Sequence, residues 1–176
     1  ECKSELPVEF LEIRSLSVRG QLGPITVWVT PDTWQGKHEN EKVWEQVYSA
    51  SHPSSYRSFT KLAFSRPVIV AGGQSIGVYV HSAVDGDEVS PPSSPGSACG
   101  CLTASSARNP PDRCLQGIVY DNERGGSAHE DSFLRLGAGL AHLSNVPFSP
   151  LGFWGRAWRS HRQFVGRVEY GYSPPF

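Results

Sequence analysis

The sequence lacks several features that would place it in a functional class at once. Its 176 residues include no Met and only four Cys, too few for a small scaffold held together by many disulfides. No segment approaches the roughly 20 consecutive apolar residues of a membrane-spanning helix, so we expect no transmembrane segment. Because the chain does not begin with Met, we expect a processed product or a fragment of a longer protein, and the localisation stays open.

An excess of charge of one sign is also missing. The chain has 16 Lys and Arg against 17 Asp and Glu, which gives a formal net charge of −1 at pH 7. A nucleic-acid-binding surface usually shows as a strong surplus of basic residues. We therefore expect no nucleic acid among the partners.

Sequence motifs of common enzyme classes are absent as well. The chain has no P-loop, no glycine-rich dinucleotide fingerprint, no nucleophile elbow, no HExxH and no CxxC. The six His residues are scattered without the short spacings of a metal site, and we expect them to be polar surface or hydrogen-bonded residues. The sequence therefore predicts a protein that is not an enzyme and needs no cofactor, with structural calcium as the exception considered below.

Short alternating runs of apolar residues dominate what is present. Residues 8–19 alternate with slips of phase, which predicts a long strand with bulges or two strands at a bend. Residues 25–30 place Ile25, Val27 and Val29 on one face and Trp28 on the other. Residues 43–51 fit either a helix or a strand, and the β-branched and aromatic content favours a strand.

The middle and the end of the chain continue this pattern. Residues 59–64, 68–70 and 76–81 predict three successive strands, with Pro67 in one connection and two Gly residues in the other. Residues 163–172 predict the last strand, which we expect to pair with the strand at 8–19 or to share its sheet.

These strands and turns predict an all-β fold. We expect an antiparallel β-sandwich, jelly-roll-like, of about eight or nine short strands, with a closed β-barrel as the alternative. Residues 1–176 are expected to form a single domain, because their number suits one domain and no repeat is visible.

Residues 84–114 differ from the rest, since they are rich in Pro and Ser and nearly free of large apolar residues. They predict a long loop excursion from the sheet. Its thiols could be free, form a disulfide between Cys114 and either Cys99 or Cys101, or bind zinc with His81. Its first carboxylates form a candidate calcium site, and these are Asp85, Asp87 and Glu88.

The strongest candidate for a recognition surface lies near the C-terminus. There Arg alternates with Trp and no acidic residue intervenes, and the residues concerned are Trp154, Arg156, Trp158, Arg159 and Arg162. Trp and Arg dominate the energetics of protein interfaces. The leading hypothesis is a non-catalytic binding or structural module, a subunit or docking domain of a larger assembly that contacts its protein partner through this patch.

Two alternatives remain open. A carbohydrate-binding jelly-roll module would stack sugar rings on Trp34 and Trp154 and could hold structural calcium at the acidic residues named above. A metal-dependent hydrolase would use His129 and Asp131 for acid–base work or metal ligation.

Overall fold

The computed structural model describes residues 1–3, 8–84, 117–121, 129–152 and 155–173. Antiparallel strands dominate them, with one short 3-10 helix at Glu41–Val43. In chain order the strands are β1 (Phe10–Gly20), β2 (Gly23–Pro31), β3 (Glu45–His52), β4 (Ser55–Ala71), β5 (Ile76–Ser82), β6 (Tyr120–Asp121), β7 (His129–Glu130), β8 (Arg135–Leu136), β9 (Gly139–His142), β10 (Leu151–Gly152), β11 (Gly155–Arg156), β12 (Trp158–Phe164) and β13 (Arg167–Ser173).

The strands form three larger sheets and two short pairs. β1 lies between β13 and β4, β2 lies between β3 and β5, and β12 lies between β6 and β9. The short pairs are β7 with β8 and β10 with β11. The all-β, antiparallel prediction is confirmed, and the described strands of four or more residues fit the expected eight or nine. The closed-barrel alternative is wrong for the described residues, because each sheet there ends in two edge strands.

The phase slip in the first apolar run becomes a bulge in β1. Ile13 pairs with Tyr170 and Ser15 with Glu169, so the register shifts at the residue between them. β1 also pairs with β13 along most of its length, which confirms the expected pairing of the two terminal runs. The ambiguous run at 43–51 is a strand from residue 45 onward, as favoured.

The predicted break at Pro67 is wrong, because β4 runs through it as one strand. Ala63 pairs with Ser15 and Val68 with Ile13, so the residues between 63 and 68 lie opposite a single position of β1. Pro has no N–H to donate to a sheet and is tolerated at such a bulge. The two strands expected at 59–64 and 68–70 are therefore one.

The last predicted strand is two strands with a tight connection. β12 ends at Phe164 and β13 begins at Arg167. A Cβ added to Gly166 in that connection would lie 2.3 Å from the Ser17 carbonyl oxygen. Only glycine permits this approach of the turn to β1, and period-two alternation alone did not reveal it.

A shared apolar core joins the sheets that contain β1 and β2. Its fully buried members come from β1, β2, β4 and the turn between β1 and β2, namely Val18, Leu22, Ile25, Val27 and Leu62, and Val47 of β3 is nearly as buried. The opposite face of β2 is buried too, since Trp28 is only 6% exposed beneath Tyr79 and Phe148. β2 therefore separates the main core from an aromatic cluster.

Candidate functional site

A cavity of about 690 Å³ lies among the three larger sheets. Apolar side chains from each sheet line it, including Phe64 and Val68 of β4, Val80 of β5 and Phe164 of β12. Cavities of about 300–1,000 Å³ with a mostly apolar lining are typical of small-molecule sites. The cavity is therefore the candidate functional site.

The edge position of β5 explains why the cavity has two kinds of wall. Successive side chains of a strand point to opposite faces, so Val78 and Val80 face one way and Tyr79 and His81 the other. All four residues line the cavity. Within the described chain β5 is an edge strand of its sheet, so the cavity continues around it from the apolar core to the aromatic side.

A chain of ring contacts forms the polar side of the cavity, which we call the aromatic wall. The His142 and Trp158 rings have centroids 4.1 Å apart, and the His38 ring lies 5.1 Å from Trp158. Tyr79 and Trp34 extend the series at 5.8 Å from His142 and 6.1 Å from His38. All five residues line the cavity, although they come from separate parts of the chain.

Hydrogen bonds orient the rings of His142 and His81, and burial favours their neutral forms. His142 Nε2 donates to the Ser149 carbonyl at 2.9 Å, so Nδ1 accepts from the Tyr79 hydroxyl at 2.8 Å. Burial lowers the pKa of His142 to about 4, and the nearby His81 and His38 add to that effect. Burial also lowers the pKa of His81, whose Nε2 bonds the Ser144 carbonyl at 2.9 Å.

Three buried nitrogens that line this cavity have no hydrogen-bond partner within the described residues. They are Trp158 Nε1, Arg162 Nε and His38 Nδ1. Two further unpartnered atoms, on Arg19 and Gln21, belong to residues outside the cavity lining. A buried donor without a partner costs about 1–3 kcal/mol, so a molecule that brings acceptor oxygens into the cavity would be stabilised there.

The structure divides the C-terminal patch predicted from sequence. Trp158 and Arg162 line the cavity, whereas Arg156 and Arg159 do not. Arg156 is exposed, and its carbonyl accepts a hydrogen bond from Arg159 at 2.9 Å. Trp154 lies outside the described residues.

Only some of the residues proposed for carbohydrate, calcium and thiol chemistry lie in the described part of the chain. Trp34, a candidate sugar platform, is part of the aromatic wall. The calcium candidates Asp85, Asp87 and Glu88 and the thiols of Cys99, Cys101 and Cys114 all lie outside the described residues. The remaining thiol, Cys2, is free and buried.

The hydrolase candidates make separate structural contacts. His129 Nε2 bonds the Gln163 side-chain oxygen at 2.9 Å. Asp131 accepts hydrogen bonds from two following backbone N–H groups and from the Tyr170 hydroxyl, the last at 2.6 Å. In the described part of the chain no three His, Cys, Asp or Glu side chains are grouped to hold a metal ion.

Sequence reasoning missed the cluster that His38, His81 and His142 form in and beside the aromatic wall. Each occurs in a separate segment, and no local spacing links them. The available signal was the alternation in β5, which places Tyr79 and His81 on the face opposite its valines. That signal identifies a polar strand face but not what packs against it.

Comparison of the chain with protein-family models, curated proteins and solved structures finds no match. Within the described residues no helix is long and apolar enough to cross a membrane. The chemistry of the cavity is thus the basis on which a function can be assigned.

Proposed function

We propose that the protein is a non-catalytic binding module that takes a small molecule with an apolar body into the cavity. The observation that carries this proposal is the combination of an apolar cavity of about 690 Å³ with unpartnered donors on its lining. Transfer of apolar surface out of water contributes about 25 cal/mol per Å². The apolar lining would supply affinity, and the donors would orient the ligand.

The hydrogen bonds of His142 support a structural role for this residue rather than a catalytic one. Both ring nitrogens of His142 are engaged, one by Tyr79 and one by the Ser149 carbonyl. A general base needs a free nitrogen within hydrogen-bond reach of the proton that it removes. His142 therefore serves better as a rigid neutral part of the aromatic wall.

A two-layer, jelly-roll-like sandwich is the finer architecture that we propose for this module. In its support, Leu16 and Leu62 of one sheet pack in the same buried cluster as Val27 and Val47 of another. The third sheet would then close the cavity on the side of β5.

Binding of a neutral apolar fluorophore, N-phenyl-1-naphthylamine, tests this function. Two valines provide a matched pair of variants, because Val78 lines the cavity at 38% exposure and Val43 lies outside it at 39%. Val78→Trp should fill the cavity and abolish the fluorescence increase, and Val43→Trp should leave it intact. Thermal unfolding of both variants shows that each is folded.

Saturable binding that only Val78→Trp removes supports the proposal. Absence of saturable binding to the wild type overturns it. Equal binding to both variants also overturns it, because the fluorophore would then occupy another surface.

A second candidate function is docking to an acidic protein surface through Arg156 and Arg159. Leu151 pairs with Arg156 across the β10–β11 ladder and is 66% exposed. No carboxylate of the described residues pairs with either arginine, so both charges are open to a partner.

Co-purification tests this function. It is supported if a stoichiometric protein co-purifies with the wild type and with R57A but is lost in R156A/R159A. Retention in the double variant would contradict it.

A further inference from the structure

Arg162 is a charged group of the cavity lining with a buried donor that has no partner in the described residues. Its Nη1 donates to the Ser160 carbonyl at 2.9 Å, which holds the guanidinium in place. Its Nε is buried without a partner, and no carboxylate of the described residues forms an ion pair with it. Arg162 is half-buried, and its unpartnered Nε is a donor on a positively charged group, so an anion with acceptor oxygens would satisfy both its hydrogen bonding and its charge.

The strand around Arg162 is irregular in a way that suits a binding site. The register between β12 and β9 shifts between Ser160 and Arg162, and His161 there has a left-handed φ of 57°. Bulges of this kind redirect side chains and are frequent beside functional sites. The backbone carbonyls that this bulge exposes are those that hold Arg162 Nη1.

Resting on the binding function proposed above, we infer that the ligand is an apolar carboxylic acid whose carboxylate binds Arg162 and whose apolar body lies against Phe64, Val68 and Val80. An arginine presents Nε and a terminal nitrogen as a fork that matches the two oxygens of a carboxylate. With Nη1 already held, little side-chain entropy remains to be lost on binding.

The other polar groups of the cavity agree with an acceptor-bearing ligand. Trp158 Nε1 can only donate a hydrogen bond, and it is buried without a partner in the described chain. The remaining charged lining residues are Arg135, Asp32 and Glu1, and neither acidic residue pairs with Arg162. A ligand with a cationic head would face Arg162 with charge of the same sign.

Displacement of the neutral fluorophore by decanoate, decanol and decylammonium at neutral pH tests this inference on the wild-type protein. The three share one alkyl chain and differ in the head group. Decanoate and decylammonium are used below their micelle concentrations, and decanol is used below its solubility limit. Decanoate should displace the fluorophore at a concentration about tenfold or more below that of decanol. Decylammonium should be the weakest of the three.

Variants then locate the carboxylate. Arg162→Met keeps an unbranched apolar stem and removes the guanidinium with its charge, so it should bring decanoate to the affinity of decanol. Arg57→Met, at an exposed position of β4 outside the cavity lining, should keep the decanoate preference. In the wild type, decanoate should also move the indole N–H resonance of Trp158, a signal that Trp158→Phe identifies.

The outcomes separate the two proposals. If the fluorophore binds but the three ligands displace it equally, the carboxylate inference fails and the binding module stands. If decanoate is preferred equally by wild type and Arg162→Met, the assignment to Arg162 fails. If the fluorophore does not bind at all, the binding module itself is wrong.

Discussion

Mild acidification should destabilise the folded protein through His142. Burial lowers the pKa of this ring to about 4, whereas a histidine in an unfolded chain titrates near 6.5. Between these values the unfolded state binds a proton that the folded state does not, so the free energy of unfolding falls as the pH falls. The contribution of His142 is complete above about pH 6.5 and is lost as the pH falls toward 4.

The size of this effect follows from the two pKa values. One pKa unit corresponds to about 1.4 kcal/mol, so the full contribution of His142 is roughly 3 kcal/mol. About 2 kcal/mol of it should be lost by pH 5. His81 adds a change of the same sign, because burial lowers its pKa as well. The pKa of Asp131 is lowered from its ordinary value of 3.8, so this carboxyl group affects stability only at a pH below the range from 7 to 5.

Urea unfolding followed by tryptophan fluorescence at pH 7, 6 and 5 measures this loss directly. His142→Gln removes the titrating ring. Between pH 7 and pH 5 the free energy of unfolding of this variant should therefore fall by about 2 kcal/mol less than that of the wild type. His129→Gln controls for the removal of an imidazole as such, since His129 is exposed on β7. A wild-type stability that does not change from pH 7 to 5, or an undiminished fall in His142→Gln, would refute the reasoning.

Three further substitutions test the packing, each by denaturant unfolding. Leu62→Ala opens a cavity at a fully buried position and should cost about 2–5 kcal/mol, whereas a cost below about 1 would contradict its place in the core. Gly166→Ala should destabilise by about 1–3 kcal/mol because its Cβ would meet a backbone carbonyl, while Gly137→Ala, with open space around it, should not. Ser82→Ala leaves the buried Leu22 carbonyl without its 2.5 Å hydrogen bond and should cost about 1–3 kcal/mol; an unchanged midpoint would count against that bond.

Local patterns predicted most of the strands, because alternation records which side of a strand is buried. The slip of phase in β1 even indicated its bulge between Ile13 and Ser15. Strand ends were less predictable where a long-range contact decides them. Pro67 lies within β4 because the pairing of β4 with β1 shifts register at that point. Gly166 follows the end of β12, where the backbone of β1 lies too close for a side chain.

The candidate site was predictable only in pieces. Residue type alone pointed to Trp34, Trp158 and Arg162. Trp34 belonged to the carbohydrate-binding hypothesis, whereas Trp158 and Arg162 belonged to the protein-docking hypothesis. His38 and His142 had no local signal, since the contacts that join them to Trp158 connect distant parts of the chain. A cavity is the space that sheets leave between them, and so it follows from their arrangement and not from any one strand's pattern.

The same histidine chemistry predicts that ligand affinity and stability respond differently to acid. From pH 7 to 5 the folded state keeps His142 neutral, because the pKa of this ring is about 4, so the aromatic wall keeps its bond between Tyr79 and His142. Affinity for the neutral fluorophore should therefore stay constant over this range while the free energy of unfolding falls by at least about 2 kcal/mol. Fluorescence titrations at each pH, paired with unfolding curves, measure both quantities. A parallel fall in affinity would mean that a histidine of the cavity lining takes up a proton within the folded protein, and the acid sensitivity would then originate in the cavity and not in the unfolded chain.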